Sequence, residues 1–467
     1  MSQLRPKVQI DVKSDINLIA QAGAATPAII GTAQWGSLNT VVTVNNLSEA
    51  IDVFGDDKSD ETLTLIKGLD LYYQNAGGAV KCVRVADGDE AKSTLDLATG
   101  STSAIRVSGI KYGTYGDNVM VTVLANGTGV NVKVTDGVIQ ETYDNAGVGY
   151  TSNTDIITAI NAGSTLVATT SLATISIIDA LSQTNLASGD DGEDGIIASD
   201  ITSAMDNELY LEDYDILLIP GQTLDSFQTT VSGKITSRVQ DEDKYAIYVS
   251  GVDVDETITT MAERTTAGQR FTLVAPNVKY TSRITGTEDV LDGSYLACAY
   301  AGVVAKNWPA ISPTHKVVSV GGLSILESAE TEYYNNGQQN QLLNNRITPI
   351  TKIGSSLMAT RAVTRNVDTT AVYYEQNIVD IIHFVKKAVL SLLNGFIGEP
   401  SLDRIKAVIS KNTDGLLEQY KLDEVICCYE PTEVAEGSSA DTLNVTMVIQ
   451  PTFAVNFINV TLTISNL

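Results

Sequence analysis

The chain has 467 residues, of which 43% are hydrophobic and 18% are charged, so it is globular but too long for a single hydrophobic core. Roughly two to four domains are expected from this length. Asp and Glu (56) outnumber Lys and Arg (30), which gives a net charge of −26. This charge makes the chain a poor candidate for wrapping nucleic acid, because phosphate neutralisation needs clustered Lys and Arg.

The sequence also bears on membranes and on the redox compartment. No stretch is apolar over the ~18 residues that a membrane helix needs. The N-terminus, MSQLRPKVQ, has no apolar core after its positive charges, so we expect no signal peptide and folding in a cytoplasm. The four cysteines, Cys82, Cys298, Cys427 and Cys428, lack CxxC and metal-ligand spacing and are predicted to be buried free thiols.

Both ends of the chain have the alternating pattern of a half-buried strand. The apolar positions are Val8, Ile10 and Val12 near the N-terminus and Val460, Leu462 and Ile464 at the C-terminus. Chain ends are usually disordered unless another element holds them. These six residues are therefore candidate contact residues. Either they pack on the sheet of their own subunit, or they complete the sheets of neighbouring subunits by strand addition.

The first compact segment alternates strands and helices. Its predicted elements are a buried strand at Ala28–Ile30, an amphipathic helix at Leu47–Phe54, a second helix at Thr62–Tyr73 and a strand at Ala79–Val85. Ser48 is predicted to cap the first helix. The order strand–helix–helix–strand is that of an α/β unit.

From about Leu95 to Leu186 the composition shifts to Ser, Thr, Gly, Asn and Val. Turn signals such as Asn126-Gly127 separate short alternating runs, among them Val119, Val121 and Val123, followed by Val130, Val132 and Val134. This pattern predicts an all-β segment that is inserted into the α/β unit and stands at the surface.

The stretch from Ser188 to Asp200, SGDDGEDGIIASD, is an acidic glycine loop. A calcium loop is one interpretation, and a solvent-exposed turn is the other. The twelve-residue EF-hand pattern fails, because a loop that starts at Asp190 ends at Ile201, where that pattern needs Glu.

After the loop the chain resumes its alternation. Helices are predicted at 201–211, 227–239 and 257–267, and strands at 214–220, 245–249 and 271–275. A buried helix is predicted at Ser294–Ala305, and Thr331–Asn345 is predicted to be either a loop at a subunit contact or an exposed polar helix. The spacing indicates a parallel or mixed sheet covered on both faces.

The last 93 residues begin with the strongest helical pattern in the chain, with Ile378, Ile382, Val385 and Val389 on one face. A second helix is predicted from about Ser401. The period then changes to that of a strand over Leu443–Ile449. The fold class predicted from the sequence is α/β, with an α/β body interrupted by an all-β surface insertion and followed by a C-terminal α+β domain.

No pattern of catalytic residues is present in the sequence. It lacks a phosphate loop, a GxSxG elbow and an HExxH motif. Its two histidines, His315 and His383, are far apart, and His383 is predicted to lie on the polar face of its helix. No enzyme activity, cofactor or metal site is therefore predicted.

Several segments, spread over most of the chain, together resemble the contractile tail sheath proteins of tailed viruses and related injection machines. They are TPAIIGTAQWG, NLSEAIDVFG, LYYQNAGGAVKCVRV, GDDGEDG leading to YDILLIPG, SYLACAYAGVVAKNWPAISP, KIGSSLMATRAVTRN and NIVDIIHFVKKAVLSLLNGFIGEPS. The order and spacing of these segments carry the resemblance, and residues 95–186 take no part in it.

The resemblance implies a domain organisation and a role. It implies an N-terminal arm (1–20), an α/β body (21–94 and 187–350), a β-rich surface insertion (95–186) and a C-terminal assembly domain with its own arm (351–467). Sheath subunits stack as rings around an inner tube, and their arms add strands to neighbouring subunits, which makes the candidate contact residues inter-subunit contacts. Contraction switches between two packings of nearly rigid subunits and needs no nucleotide.

The resemblance also implies partners and a location. The partners are further copies of the chain, the inner tail tube protein, and the baseplate and tail terminator proteins, with no direct nucleic acid contact and no membrane insertion. The location is a virion tail assembled in the host cytoplasm. The alternative is a calcium-binding surface-layer or extracellular β-rich protein, which the missing signal peptide disfavours.

Overall fold

The computed structural model describes residues 25–56, 63–193, 195–327, 332–367, 373–439 and 441–456. Within these ranges the chain is a mixed α/β protein with several sheets, as predicted. The six candidate contact residues, Val8, Ile10, Val12, Val460, Leu462 and Ile464, all lie outside the described residues. No helix in the described ranges has the length and apolar character that crossing a bilayer requires.

An eight-stranded sheet organises the body of the protein. In spatial order its strands are β18 (Ser356–Ala359), β17 (Ile347–Ile353), β13 (Phe271–Ala275), β12 (Ile247–Gly251), β11 (Ile216–Leu218), β1 (Pro27–Gly31), β3 (Val80–Arg84) and β2 (Val41–Val44). The inner six strands are parallel, and only the two edge strands run antiparallel to their neighbours. Short apolar runs such as PAIIG and FTLVA are fully buried, because helices cover both faces of the sheet.

Two hydrophobic cores lie on opposite faces of this sheet. The first packs against helices α1 (Leu47–Phe54), α2 (Leu65–Tyr73) and α7 (Gly293–Asn307). The second packs against α4 (Ala198–Asn207), α5 (Asp225–Glu242), α6 (Ile258–Ala262) and α8 (Asn336–Asn344). Consecutive strand residues alternate between the cores, with Ile29 in the first and Ile30 in the second. A small antiparallel sheet, β15 (Glu288–Leu291), β14 (Asn277–Thr281) and β16 (Gly322–Ser324), flanks the body.

Residues 94–187 build two further sheets around a core of their own. One sheet contains β4 (Thr94–Thr99), β5 (Thr102–Gly109) and β9 (Val167–Ser171). The other contains β10 (Leu181–Asn185), β6 (Met120–Asn126), β7 (Gly129–Thr135) and β8 (Gln140–Tyr143). All buried members of this third core come from residues 97–186. The insertion enters and leaves the body side by side, because Thr94 and Ala187 exchange backbone hydrogen bonds of 2.8 and 3.1 Å.

The C-terminal part consists of two helices and a hairpin. Helix α9 (Gln376–Asn394) and helix α10 (Asp403–Leu422) precede strands β19 (Ile426–Glu436) and β20 (Leu443–Pro451). Their apolar residues form a fourth core, which includes Ile378, Ile382 and Val389, as the helical spacing predicted.

The structure corrects four predictions. The segment 95–186 is not all-β, because a helix, α3 (Asn153–Gly163), buries Ile156 and Ile160 in its core. Asn46, and not Ser48, caps α1, since its side chain accepts a hydrogen bond of 2.9 Å from the Glu49 N–H. The boundary expected after residue 350 falls inside β17, which keeps 347–359 in the central sheet. Finally, Cys82 and Cys298 are buried as predicted, but Cys427 and Cys428 are exposed at a register shift in β19.

Candidate functional site

A row of buried polar side chains fixes helix α9 to the central sheet. Gln376 accepts hydrogen bonds from the Tyr300 hydroxyl at 2.6 Å and from the Thr272 hydroxyl at 3.2 Å. One turn further on, Asp380 is 2% exposed. Burial, reinforced by the charge of Asp215, raises the pKa of Asp380 well above its ordinary value. The junction between the C-terminal part and the body is therefore polar and closely fitted.

His383 continues this row, so the polar face of the helix on which it was predicted to lie is buried against the sheet. The residue is 4% exposed, and its Nε2 accepts a hydrogen bond of 3.1 Å from Arg270 Nε–H. An acceptor at Nε2 requires a neutral ring with its proton on Nδ1. Burial lowers the pKa of His383 well below its ordinary value, and the charges of Arg270, Lys386 and Lys387 lower it further.

Ion pairs anchor both ends of α9. At its C-terminal half, Lys387 Nζ lies 2.8 Å from carboxylate oxygens of both Asp213 and Asp215. At its N-terminus, Arg361 Nε donates to Glu375 Oε1 at 2.8 Å, and the amide of Asn456 donates to the same oxygen at 3.2 Å. The last described residue thus lies beside the start of α9, which brings the C-terminal end of the described chain against the body.

In the described part of the chain, the hairpin of β19 and β20 forms a sheet of just two strands. A two-stranded sheet is marginal by itself and needs a helix or further strands for stability. Helix α10 supplies one such cover over β19, where Ser410 Oγ donates to Thr432 O and Thr432 N–H donates to Asp414 Oδ1, both at 2.8 Å. The inward side chains of β20, including Val445 and Met447, remain only half-buried.

This hairpin is the candidate site of subunit association. It combines an apolar face that is only partly covered with strand edges that pair with no further described strand. Strand addition at such an edge satisfies backbone groups and extends the apolar face in one step.

The acidic loop 188–200, which the sequence analysis singled out, has a structural role. In the loop 188–200, Asp191 is buried and accepts hydrogen bonds from the backbone N–H and the hydroxyl of Thr114, at 2.7 and 2.9 Å. The buried Arg84 donates to the carbonyl oxygen of Asp191 at 2.8 Å, so the loop ties the insertion to the body. Within the described ranges, no group of three or more His, Cys, Asp or Glu side chains is placed to hold a metal ion.

A cleft of about 400 Å³ at the carboxyl ends of β11 and β12 is also acidic, with Asp225, Asp253 and Glu256 among its lining residues. Burial acts to raise the pKa of Asp225, but hydrogen bonds from Thr266 and Thr265 outweigh it and lower that pKa to about 2. Glu256 is held by Arg264, with Nη2 and Oε2 2.8 Å apart. Each of these carboxylates thus has a partner that fixes the loops around the cleft.

Sequence reasoning did not find the polar row on α9. Its members, Gln376, Asp380, His383 and Lys387, recur at the spacing of one helical face, so a pattern was present. That pattern is also typical of a solvated face, and only the position of α9 on the sheet distinguishes the two.

The fold is that of a known class of proteins. Residues 25–85 match the family model described as tail sheath protein Gp18, domain III N-terminal region. These residues span β1, β2, α1, α2 and β3, and their three strands form one end of the central sheet. No protein of curated function matches the chain in sequence.

Solved structures extend the match to nearly the whole chain. A sheath tail protein from Desulfitobacterium hafniense is 13% identical with a TM-score of 0.67, over 95% of this chain and all of the other. One from Listeria innocua is 17% identical with a TM-score of 0.65, over 93% of each chain. The helical sheath of the anti-feeding prophage in its contracted state is 12% identical with a TM-score of 0.56, over 99% of each chain.

The chain thus has the fold of tail sheath proteins, and residues 25–85 match the model of a tail sheath domain. The resemblance and the mixed α/β fold class that the sequence predicted are both confirmed, whereas the all-β character expected of the insertion is not.

Proposed function

We propose that the chain is the structural subunit of a contractile tail sheath. It polymerises helically around an inner tube and contracts to drive that tube through a host envelope. The observation that carries this proposal is the match of fold over 99% of the chain to a subunit of a contracted helical sheath, together with the family match at residues 25–85.

Each part of the chain has its own role in the proposed sheath. The hairpin and helices from Gln376 onward form the assembly domain next to the tube. The body carries the contacts that change on contraction, and the insertion (95–186) decorates the outer surface. The N-terminal arm (1–20) and the C-terminal arm reach neighbouring subunits and contribute Val8, Ile10, Val12, Val460, Leu462 and Ile464 to their sheets.

Physical chemistry supports a mechanism of this kind. A head-to-tail contact that does not close on itself generates a helical assembly. Arms that exchange strands keep neighbours tethered at high effective concentration while their bodies rotate and slide. The free energy for contraction comes from contacts between bodies, so the proposed role is mechanical and includes no catalytic step.

The proposal extends to partners and location. The inner tube protein lies inside the sheath, and the baseplate and tail terminator proteins close its two ends. The sheath itself contacts neither nucleic acid nor the membrane interior. We place the assembled chain in a virion tail, built in the host cytoplasm.

Electron microscopy of the purified chain at high concentration tests this proposal. Wild type is expected to form long, hollow, striated tubes. Leu462→Asp puts a charge into the C-terminal arm and should leave folded monomers, as judged by an unchanged circular dichroism spectrum. Val138→Asp is the matched control, because Val138 is 93% exposed on the insertion, and it should form tubes like wild type. Absence of tubes from wild type, or wild-type tubes from Leu462→Asp, would contradict the proposal.

A further inference from the structure

The seam between α9 and the central sheet is formed by four polar side chains, those of Gln376, Asn377, Asp380 and His383, which are between 0 and 4% exposed. Several of their polar atoms have no hydrogen-bond partner among the described residues. These atoms are Gln376 Nε2, Asn377 Oδ1 and Nδ2, Asp380 Oδ1 and His383 Nδ1. Buried polar groups of folded proteins are nearly always bonded to protein or to ordered water, so their concentration on one helix needs an explanation.

The number of these atoms is incompatible with a dry contact. A buried polar atom without a partner costs its full desolvation free energy, because nothing replaces the hydrogen bonds that it made to water in the unfolded chain. Five such atoms lie within little more than two helical turns. Left unpaired, they would cancel a large share of the stability of a typical domain. The seam therefore requires a ligand that pairs them.

The five atoms complement one another around Asp380. Residues three and four positions apart are neighbours on a helix, so Gln376, Asn377 and His383 all adjoin Asp380. Gln376 Oε1 already accepts from two hydroxyl groups, which leaves the donors of its Nε2 to be paired. His383 accepts at Nε2, so its proton is on Nδ1. Two amide groups and one imidazole N–H thus offer donors around one carboxylate oxygen, and a small molecule that both donates and accepts can bridge them.

The charges around the seam favour a neutral ligand. Three cationic side chains act on the ring of His383 and disfavour a bound cation; they are Arg270, Lys386 and Lys387. The carboxylate of Asp215 acts on Asp380 and disfavours a bound anion. In the part of the chain that the structure describes, no group of His, Cys, Asp or Glu side chains is placed to hold a metal ion. Water is neutral and forms hydrogen bonds in both directions.

We propose that the seam is a binding site for ordered water, in which water bridges Asp380 Oδ1 to the side-chain donors of Gln376, Asn377 and His383. Water-mediated hydrogen bonds are nearly as favourable in enthalpy as direct ones. The C-terminal part of the chain is then attached to the body by water-mediated bonds as well as by direct ones. This inference concerns the single subunit and does not rest on the proposed function.

Solid-state NMR of the full chain, labelled with ¹⁵N-histidine, tests this proposal on sedimented monomers and on tubes alike. The chain has only two histidines, so its imidazole spectrum contains only two rings. His315→Gln leaves the ring of His383 alone and assigns its signals. In a water-edited spectrum, magnetisation starts on water protons and reaches only the groups that contact water. His315 is exposed and serves as the positive control in wild type.

We expect the Nδ1–H of His383 to appear in the water-edited spectrum of wild type, although its ring is 4% exposed. Asp380→Leu replaces the central acceptor by an apolar side chain of similar shape and should abolish most of this signal. The matched control, Asp144→Leu at an exposed position of the insertion, should leave the signal unchanged.

A ring of His383 that receives no magnetisation from water in wild type would overturn the proposal. A signal that keeps its full strength in a folded Asp380→Leu chain would also overturn it, because the water would then not be shared with Asp380. Circular dichroism establishes whether Asp380→Leu folds. If it does not fold, the wild-type spectrum decides alone.

Discussion

The Nε–H group of Arg270 donates a hydrogen bond of 3.1 Å to Nε2 of His383, across the junction between the central sheet and α9. The pair is buried, and Lys386 and Lys387 add positive charge around the ring. A protonated imidazole at this place would lose its acceptor and face three cations. The attachment of the C-terminal part of the chain to the body therefore depends on a neutral histidine.

This relationship predicts a loss of stability in acid. Since the pKa of His383 is lower in the folded protein than its ordinary ~6.5, the unfolded chain binds the proton more readily. The stabilisation that neutral His383 contributes is complete above pH ~6.5, and it is lost as the pH falls below that value. Denaturant unfolding from pH 8 to 5 should show a steeper fall in the free energy of unfolding for wild type than for His383→Gln. Equal slopes would contradict the prediction.

Asp380 should behave in the opposite sense. Its pKa is raised in the folded state, so its contribution to stability is present at low pH and is lost as the pH rises through the folded pKa. Asp380→Asn removes this buried charge and should stabilise the protein by about 1 kcal/mol at pH 8. The gain should shrink toward pH 4 in chemical denaturation. Asp144→Asn, at an exposed position, serves as the control and should leave the free energy of unfolding nearly unchanged.

Replacing glycine by alanine is predicted to have opposite effects on stability at two positions of the body. A Cβ atom at Gly251 would lie 1.8 Å from the carbonyl carbon of Gly293, where β12 meets the start of α7. Gly251→Ala should therefore destabilise the protein by about 3 kcal/mol or prevent folding. Gly233 is exposed in the middle of α5 with open space around it, so Gly233→Ala should stabilise by about 0.5–1 kcal/mol. Thermal unfolding of both variants measures whether each substitution raises or lowers the stability.

The buried contacts of Arg84 are predicted to contribute to the stability of the junction between the insertion and the body. Its side chain is fully buried and donates to the carbonyl oxygens of Gly36 and Asp191, at 3.0 and 2.8 Å. Arg84→Met leaves both acceptors without this donor and should lower the free energy of unfolding by about 3 kcal/mol. Arg106→Met removes an exposed ion pair with Asp96 and should change nothing measurable. If the denaturation midpoints of the two variants agree, the buried contacts of Arg84 do not carry the stability assigned to them.

The elements that the sequence predicted well are those whose pattern follows directly from burial. Helix α9 has an apolar row that packs into the fourth core, and strands such as β1 and β13 are apolar runs between two layers of helices. Helix α3 was missed, because only Ile156 and Ile160 of its eleven residues are buried and the remainder resembles a polar loop. The cap of α1 was misplaced by two positions, since Asn46 and Ser48 are both good capping residues and only geometry distinguishes them.

The polar contacts of α9 and the exposure of the two hairpin cysteines were harder to predict, because they depend on contacts between segments distant in sequence. His383 and Arg270 are 113 positions apart, and nothing local to α9 indicates that its polar row faces the sheet. The exposure of Cys427 and Cys428 likewise follows from a register shift against β20, which the apolar run Val425-Ile426 does not reveal.

The way in which the insertion joins the body predicts that it can be removed. Thr94 and Ala187 exchange backbone hydrogen bonds, so their chain ends are close enough for a short Gly-Ser link after excision of residues 95–186. The insertion has a core of its own, to which no residue of the body contributes a buried side chain. The excision therefore leaves both cores of the central sheet intact. Its losses at the body are the hydrogen bonds from Thr114 to Asp191, the backbone hydrogen bonds from Gly113 to Ala91 and from Gly109 to Ser93, and the contact between the Trp35 and Tyr115 rings.

We expect the shortened chain to unfold cooperatively and to form tubes of smaller outer diameter than those of wild type, because the proposed assembly surfaces lie in the C-terminal part and the arms. Circular dichroism and electron microscopy of the two chains side by side measure both properties. Asp191→Ala in the full-length chain is the control for the lost hydrogen bonds of Thr114. If that control folds while the shortened chain does not, the insertion supports the body in a way that its separate core does not reveal. Tubes of unchanged diameter would place the insertion inside the sheath wall and not on its surface.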